Sequence, residues 1–252
     1  VNISRQVNQA NAGDITTETN RWVPLRATSV LDSTALTRVI TDHTGSSSYD
    51  NTKARVFRWV DTSADAATEP AEEPWVEFRD AHAALFDLVP GRLMWIKSST
   101  SAPLSFGSGV TLSLRDTVAI PLQPQQWTDF ALPYRFPVVI GDILDATTDT
   151  GLHFYQWDNA GGQYVTQPLY IEALPDDSMH SCLTQLSDQA RSAYSVYNPS
   201  SDSAILRIPP VCADMSTVTA AATKRVVDGS WAITLHPRLA SGQSLTRVVC
   251  AF

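Results

Sequence analysis

Charge is scarce in this chain. Only 17% of its 252 residues are charged, and the 26 acidic residues outnumber the 18 basic ones, for a net charge of −8. An ordinary domain carries about a quarter charged residues. An acidic surface repels phosphate backbones and anionic bilayers, which argues against nucleic acid and against electrostatic membrane attachment. No apolar run reaches the roughly 18 residues that a spanning helix requires, so membrane insertion is not expected. Cysteine is nearly absent: Cys182, Cys212 and Cys250 are the only three. Their odd number leaves at least one unpaired within the chain, and no CxxC or Cys/His spacing suits a metal. Two readings stand, small core residues throughout or a Cys182–Cys212 disulfide. The five histidines are scattered, with no His-x-His and no His-Glu-x-x-His, which argues against zinc. There is no Gly-x-Ser-x-Gly elbow. The start at Val1, without Met, reads as a processed or cut point.

What is present is 43% hydrophobic residues, enough for a sizeable core, with seven Trp and seven Tyr. Ser, Thr, Asn and Gln carry much of the polar load, which suits strands and loops of an extracellular protein. The tryptophans repeat. Trp22, Trp127 and Trp231 lie about 105 residues apart, each opening a strand-like run after a polar stretch. Val56-Phe57-Arg58-Trp59 matches Phe154-Tyr155-Gln156-Trp157, and each is followed by a polar loop and an aromatic-Val pair, Trp75-Val76 and Tyr164-Val165. Pro90 to Ile96 with Leu104-Ser105-Phe106 matches Arg191 to Tyr197 with Ile205 to Ile208. Three landmarks in one order at similar spacing predict two similar units.

Local signals are those of strands. Val110 to Leu114, Leu206 to Ile208 and Trp231 to Leu235 alternate, and the intervening loops carry turn chemistry. Two stretches read as short helices, Ser33 to Ile40 with Asp32 or Ser33 as N-cap, and Ser178 to Gln189. Residues 61–74 hold five acidic side chains and no apolar one larger than Ala, and read as a solvated insertion that the second unit replaces with Asp158-Asn-Ala-Gly-Gly. The expectation is an all-β fold of antiparallel β-sandwich units, two repeats of about 100 residues and a terminal strand pair. Residues 1–115 form the first unit; residues 116–252 form the second, with the C-terminal strands from about 225.

A resemblance rests on Leu88-Val-Pro-Gly-Arg-Leu-Met-Trp-Ile96, Phe106-Gly-Ser-Gly109, Ile120-Pro-Leu122 and Trp127-Thr-Asp-Phe-Ala-Leu-Pro-Tyr-Arg-Phe-Pro-Val138. This run resembles the Trp-repeat β modules near the C-terminal ends of large secreted or surface proteins of Bacteroidetes- and Fibrobacter-type bacteria. It spans most of residues 20 to 240, and departs from that pattern with Gln126-Trp127-Thr128 where Gly-Trp-Asn is usual. The resemblance implies an extracellular or cell-surface location within a longer bacterial protein.

Few residues offer chemistry. Asp42-His43 beside Ser46 to Ser48 supplies triad residue types in one local turn, whereas a triad is brought together by the fold. A glycosidase needs two facing carboxylates. Asp61, Asp65, Glu69, Glu72 and Glu73 sit in the apparent insertion, leaving Glu77 and Glu172 as the better placed pair. Asp142, Asp145 and Asp149 form a weak calcium candidate without the Asp-x-Asp-x-Asp-Gly loop. Trp59, Trp75, Trp157 and Tyr164 are the candidates for a ligand platform, Trp75 and Tyr164 being the ones expected to be exposed; the repetition of these aromatics also fits packing. The resulting expectation is a non-catalytic structural or interaction module without cofactors. Its partners would be neighbouring modules of the parent or another protein. The alternative is a carbohydrate-binding module for polysaccharide.

Overall fold

Apolar–polar alternation becomes strand wherever one face of the backbone can be buried. The computed structural model describes residues 6–8, 15–60, 75–147 except 114, 151–171, 184–187, 189, 191–211, 232–235 and 248–251. The chain forms two units, Val1–Val211 and Cys212–Phe252. It is an all-β protein of antiparallel sheets with two short α-helices among the described residues.

The first unit begins with β1 (Gln6–Asn8), β2 (Trp22–Leu25), β3 (Ser29–Leu31), α1 (Leu36–Thr44), β4 (Ala54–Trp59), β5 (Trp75–Glu77), β6 (Met94–Ser98) and β7 (Ser108–Thr111). It continues with β8 (Val118–Leu122), β9 (Trp127–Phe130), β10 (Val138–Val139), α2 (Ile140–Ala146), β11 (His153–Asp158) and β12 (Gln163–Tyr164). The last strands of this unit are β13 (Tyr170–Ile171), β14 (Gln185–Leu186), β15 (Tyr194–Tyr197) and β16 (Ala204–Ile208).

Two sheets dominate. One runs β2-β6-β4-β5, the other β9-β15-β11-β12 with β13 also on β11. Their registers correspond. Trp22 pairs with Lys97 as Trp127 pairs with Tyr197, Phe57 with Trp95 as Tyr155 with Ser195, and Trp59 with Trp75 as Trp157 with Tyr164. Each sheet turns one face to its own core. Val23, Leu25, Val56, Met94 and Ile96 pack with Leu36, Val39 and Ile40 of α1. Phe130, Phe154, Tyr194 and Val196 pack with Ile140 and Ile143 of α2. Edge strand β2 contains Pro24, whose missing N–H a central strand would not tolerate. β7 lies between β1 and β3, and Gly109 makes the close approach to β3 achievable: a Cβ there would meet the Val30 carbonyl oxygen at 2.3 Å.

Helix α1 starts later than the sequence suggests. Its N-cap is Ala35, without a side-chain cap. Asp32 is taken by the neighbouring strand instead: its N–H donates to the Ser108 carbonyl and its carboxylate accepts from the Ser108 hydroxyl at 2.7 Å. Thr34 donates to Asp87. The helix ends at Gly45, whose positive φ of 61° suits a glycine. The described end of the second expected helix is strand: Val138 pairs with Leu186 and Val139 with Gln185, because burying Leu186 and satisfying the β10 backbone outweigh a short, poorly patterned helix. Helix α2 was not foreseen. No helix of the described residues is long and apolar enough to cross a membrane, which says nothing about β-barrels.

In the second unit β17 (Ala232–Leu235) pairs antiparallel with β18 (Val248–Ala251), the terminal strand pair. Trp231, Cys182, Cys212 and the 61–74 insertion lie outside the described residues.

Candidate functional site

The outward faces of the two large sheets carry the aromatics, because strand alternation sends Phe57 and Trp59, and Tyr155 and Trp157, away from the cores that hold Val56 and Phe154. These faces meet. Trp95 of β6 is buried against Leu93, Ala131 and Ala193, with Trp157 and Tyr164 packed on the same cluster. Its ring centroid lies 4.3 Å from that of Trp157 and 6.3 Å from that of Tyr164. Trp95 Nε1 donates to Asp129 Oδ2 at 3.2 Å, and Trp59 Nε1 donates to the Trp127 carbonyl at 2.8 Å. Further bonds tie the same regions together. The buried Arg26 donates to the Leu132 carbonyl at 3.0 Å, and Arg191 pairs with Glu18 and reaches the Thr16 carbonyl at 3.1 Å.

Asp129 is the unusual member. Removal of its carboxyl from water pushes its pKa up to about 6, against the opposing pull of the Tyr164, Trp95 and Ser195 donors. Tyr164 titrates well above the usual tyrosine range, first because of burial and then because of the Asp129 charge. Trp157 Nε1 is buried without a hydrogen-bond partner.

The proposed platform residues therefore divide. Trp157 and Tyr164 are partly buried in the junction, which corrects the expectation that Tyr164 is exposed: Trp95 covers it. Trp59 is half-buried and meets Trp75 edge-on at 5.1 Å. Trp75 is exposed, as expected, at 38%. The other exposed tryptophans, Trp22 at 38% and Trp127 at 36%, hold corresponding register positions. Trp22 sits edge-on to Phe57 with Lys97 Nζ 5.9 Å from its ring centroid; Trp127 contacts Tyr155 and Tyr197 at 5.2 and 5.0 Å.

The other candidates do not converge. His43 Nε2 lies 3.0 Å from Ser98 Oγ, while Ser46 Oγ accepts from Lys53 Nζ at 2.9 Å and Asp42 is exposed. Burial lowers the His43 pKa. Glu77 accepts a two-pronged bond from Arg55 at 2.8 and 2.7 Å, which holds its carboxyl below the usual range. Glu172 and the acidic cluster at 61–74 lie outside the described residues. Asp142 and Asp145 sit on α2, where burial and the Asp145 charge raise the Asp142 pKa; Asp149 is outside the described residues. No group of three or more metal-ligating side chains occurs among the described residues. An open, polar groove of about 740 Å³ is lined by residues 46–51, by Lys53 and by Glu77, Phe78, Arg79 and Asp80. Asp129 is not part of it.

Sequence reading passed over Asp129 because alternation puts it on the face of exposed Trp127, where solvent is expected. Only the cross-sheet reach of Trp95 places it at the junction. No known protein family, curated protein or solved structure matches the chain.

Proposed function

We propose that this chain is a non-catalytic interaction module of a larger secreted or cell-surface protein, built from two copies of one β unit. The observation that carries this reading is the pair Trp22 and Trp127. A large indole left more than one-third exposed at the same register position of both sheets is a surface feature kept twice, since a core requirement would bury it. Exposed tryptophans are favoured anchors of protein interfaces. The potential chemical groups support the same reading: Glu77 is neutralised by Arg55, and His43 is directed at a buried serine.

The partner is a neighbouring module of the parent or a separate protein. A photo-crosslinking residue in place of Trp22, and separately of Trp127, tests this in the secreted parent. Cross-links to protein from both positions are expected, and none from a control at exposed Ser99.

Carbohydrate binding is the second reading, favoured by the ring cluster Trp127, Tyr155, Tyr197 and His153 on one face of the second sheet. Retention on a glycan array or on insoluble polysaccharide, lost in Trp127→Ala with folding intact, would replace the first reading with this one.

A further inference from the structure

The two exposed tryptophan corners share a register and differ in charge. Cross-strand pairing sets Trp22, Lys97 and Arg55 in one row of the first sheet. The corresponding row of the second sheet holds Trp127, Tyr197 and His153. Lys97 and Arg55 point outward with Trp22, since their chain neighbours Ile96, Val56 and Val23 are buried in the core. The first row continues beyond β5. The Phe78 N–H donates to the Val56 carbonyl at 2.8 Å, which extends the ladder past Glu77 and brings the exposed Arg79 beside Arg55. Glu77 offsets one of these cations, because Arg55 holds both of its oxygens at 2.8 and 2.7 Å. Lys97 and Arg79 form no ion pair with a described residue. Lys97 Nζ stands 5.9 Å from the Trp22 centroid. That is the outer limit, about 6 Å, of a cation–π contact. Two unpaired cations beside an exposed indole run against a net charge of −8. The strand pairing does not call for them, since Tyr197 and His153 hold the places of Lys97 and Arg55 in the second sheet.

We propose that the Trp22 corner docks a short acidic segment of a protein partner, with Trp22 as the apolar anchor and Lys97 and Arg79 as the receptors of its carboxylates. This inference rests on the interface reading of Trp22 and gives the partner a charge. Adjacent strands lie about 4.8 Å apart, so the backbones at Lys97 and Arg79, two strands apart, are separated by roughly 10 Å. A segment in the polyproline II conformation advances about 9 Å in three residues and returns to the same side. Laid across the strands, it meets both cations with acidic residues three positions apart.

Polysaccharide fits this corner less well. Trp22 and Phe57 stand edge-on at 88°, so they give no consecutive coplanar faces for sugar rings. A long polyanion is repelled by the net charge of −8. Asp50 and Asp80 line the adjoining groove and confine the positive stretch, which suits a short segment. The Trp127 row contains no lysine or arginine and is the internal control.

The test uses the whole chain and a short proline-rich peptide with two glutamates three positions apart, beside the same peptide with glutamines. The readouts are the indole N–H resonances of Trp22 and Trp127 at low ionic strength. The glutamate peptide is expected to move the Trp22 resonance, to leave Trp127 unmoved and to bind several-fold more weakly as salt is raised. The glutamine peptide is expected to bind several-fold more weakly than the glutamate peptide. Lys97→Gln should weaken binding of the glutamate peptide several-fold; Arg79→Gln should do the same, and serves if Lys97→Gln fails to fold. Equal binding of the two peptides overturns the proposal. So does wild-type affinity in both variants, or a Trp22 resonance that the glutamate peptide does not move. Tighter binding of polygalacturonate fragments at Trp22 replaces the protein segment with an acidic polysaccharide. Cross-linking in the secreted parent separates this inference from the reading beneath it. Lys97→Gln is expected to lower the protein cross-links from the Trp22 position and to spare those from Trp127. Cross-links from both positions that Lys97→Gln leaves unchanged keep the interface reading and overturn the acidic partner; none from either position overturns both.

Discussion

Where the first sheet places Trp95, the second has Ser195; where the first has Pro24, the second has Asp129. The strand orders and registers correspond, so these differences are confined to side chains on the outward faces. They are complementary. The indole of Trp95 enters a space bounded in the second sheet by Ala131 and Ala193, and Asp129 supplies the acceptor for its N–H. Two tryptophans at this position would compete for one volume, and two serines would leave it empty. Two sheet faces with corresponding registers can join because they are unlike. The carboxylates differ in the same way: Glu77 is held below its usual range by Arg55, whereas Asp129, without a cation, is pushed up to about 6.

The comparison breaks first at Trp95. Trp95→Ala removes a buried aromatic and should cost about 3–5 kcal/mol, while Ser195→Ala at the corresponding position should cost about 1 kcal/mol or less. Urea denaturation of both variants measures the ratio, and equal losses would show that the junction does not depend on this asymmetry. Next is Gly109→Ala. A methyl group at this position meets the Val30 carbonyl oxygen, so β3 and β7 must separate, at a cost of about 1–3 kcal/mol. Thermal melting checks it, and an unchanged midpoint would mean that the two strands shift without strain. Trp22→Ala and Trp127→Ala should each cost about 1 kcal/mol, since both rings are already partly in water. Matched losses support equivalence of the two corners; a much larger loss for Trp127 would reveal support through its contacts with Tyr155 and Tyr197. Smallest is Arg55→Ala, about 0–1 kcal/mol and screened by salt, because the pair with Glu77 is half-exposed. Removal of Arg55 should also raise the Glu77 pKa toward its ordinary value, measurable by carboxyl NMR. The paired Glu77 contributes stability above that ordinary value, and the contribution is lost as pH falls through the lowered one.

Much of the architecture was legible in the chain. The matched sequences Val56–Trp59 and Phe154–Trp157 lie in corresponding strands, as do Trp75 and Tyr164, because alternation and bulky aromatics are local signals. Helix ends were less legible. Asp32 has the chemistry of an N-cap, but a strand 76 residues further along the chain, at Ser108, claims it. Gln185-Leu186 is strand for the same reason, the partner being Val138-Val139. The junction was the least legible. Whether an outward aromatic meets solvent or another sheet depends on contacts such as Trp95 with Trp157, which no periodicity encodes. The platform residues were thus recognised as aromatic and outward, while their division between joint and surface required the fold.

Pro24 has a consequence beyond its own ladder. A sheet edge is an open row of donors and acceptors, and at high protein concentration another copy of the same strand is the partner nearest to hand. β2 presents an edge in which one donor is missing, and β5, at the other edge, is three residues long with Glu77 tied to Arg55. Neither edge offers a long, uninterrupted template for a β-strand. The first sheet can therefore be crowded against others of its kind without fusing into a continuous ribbon, and contacts between copies are left to side chains.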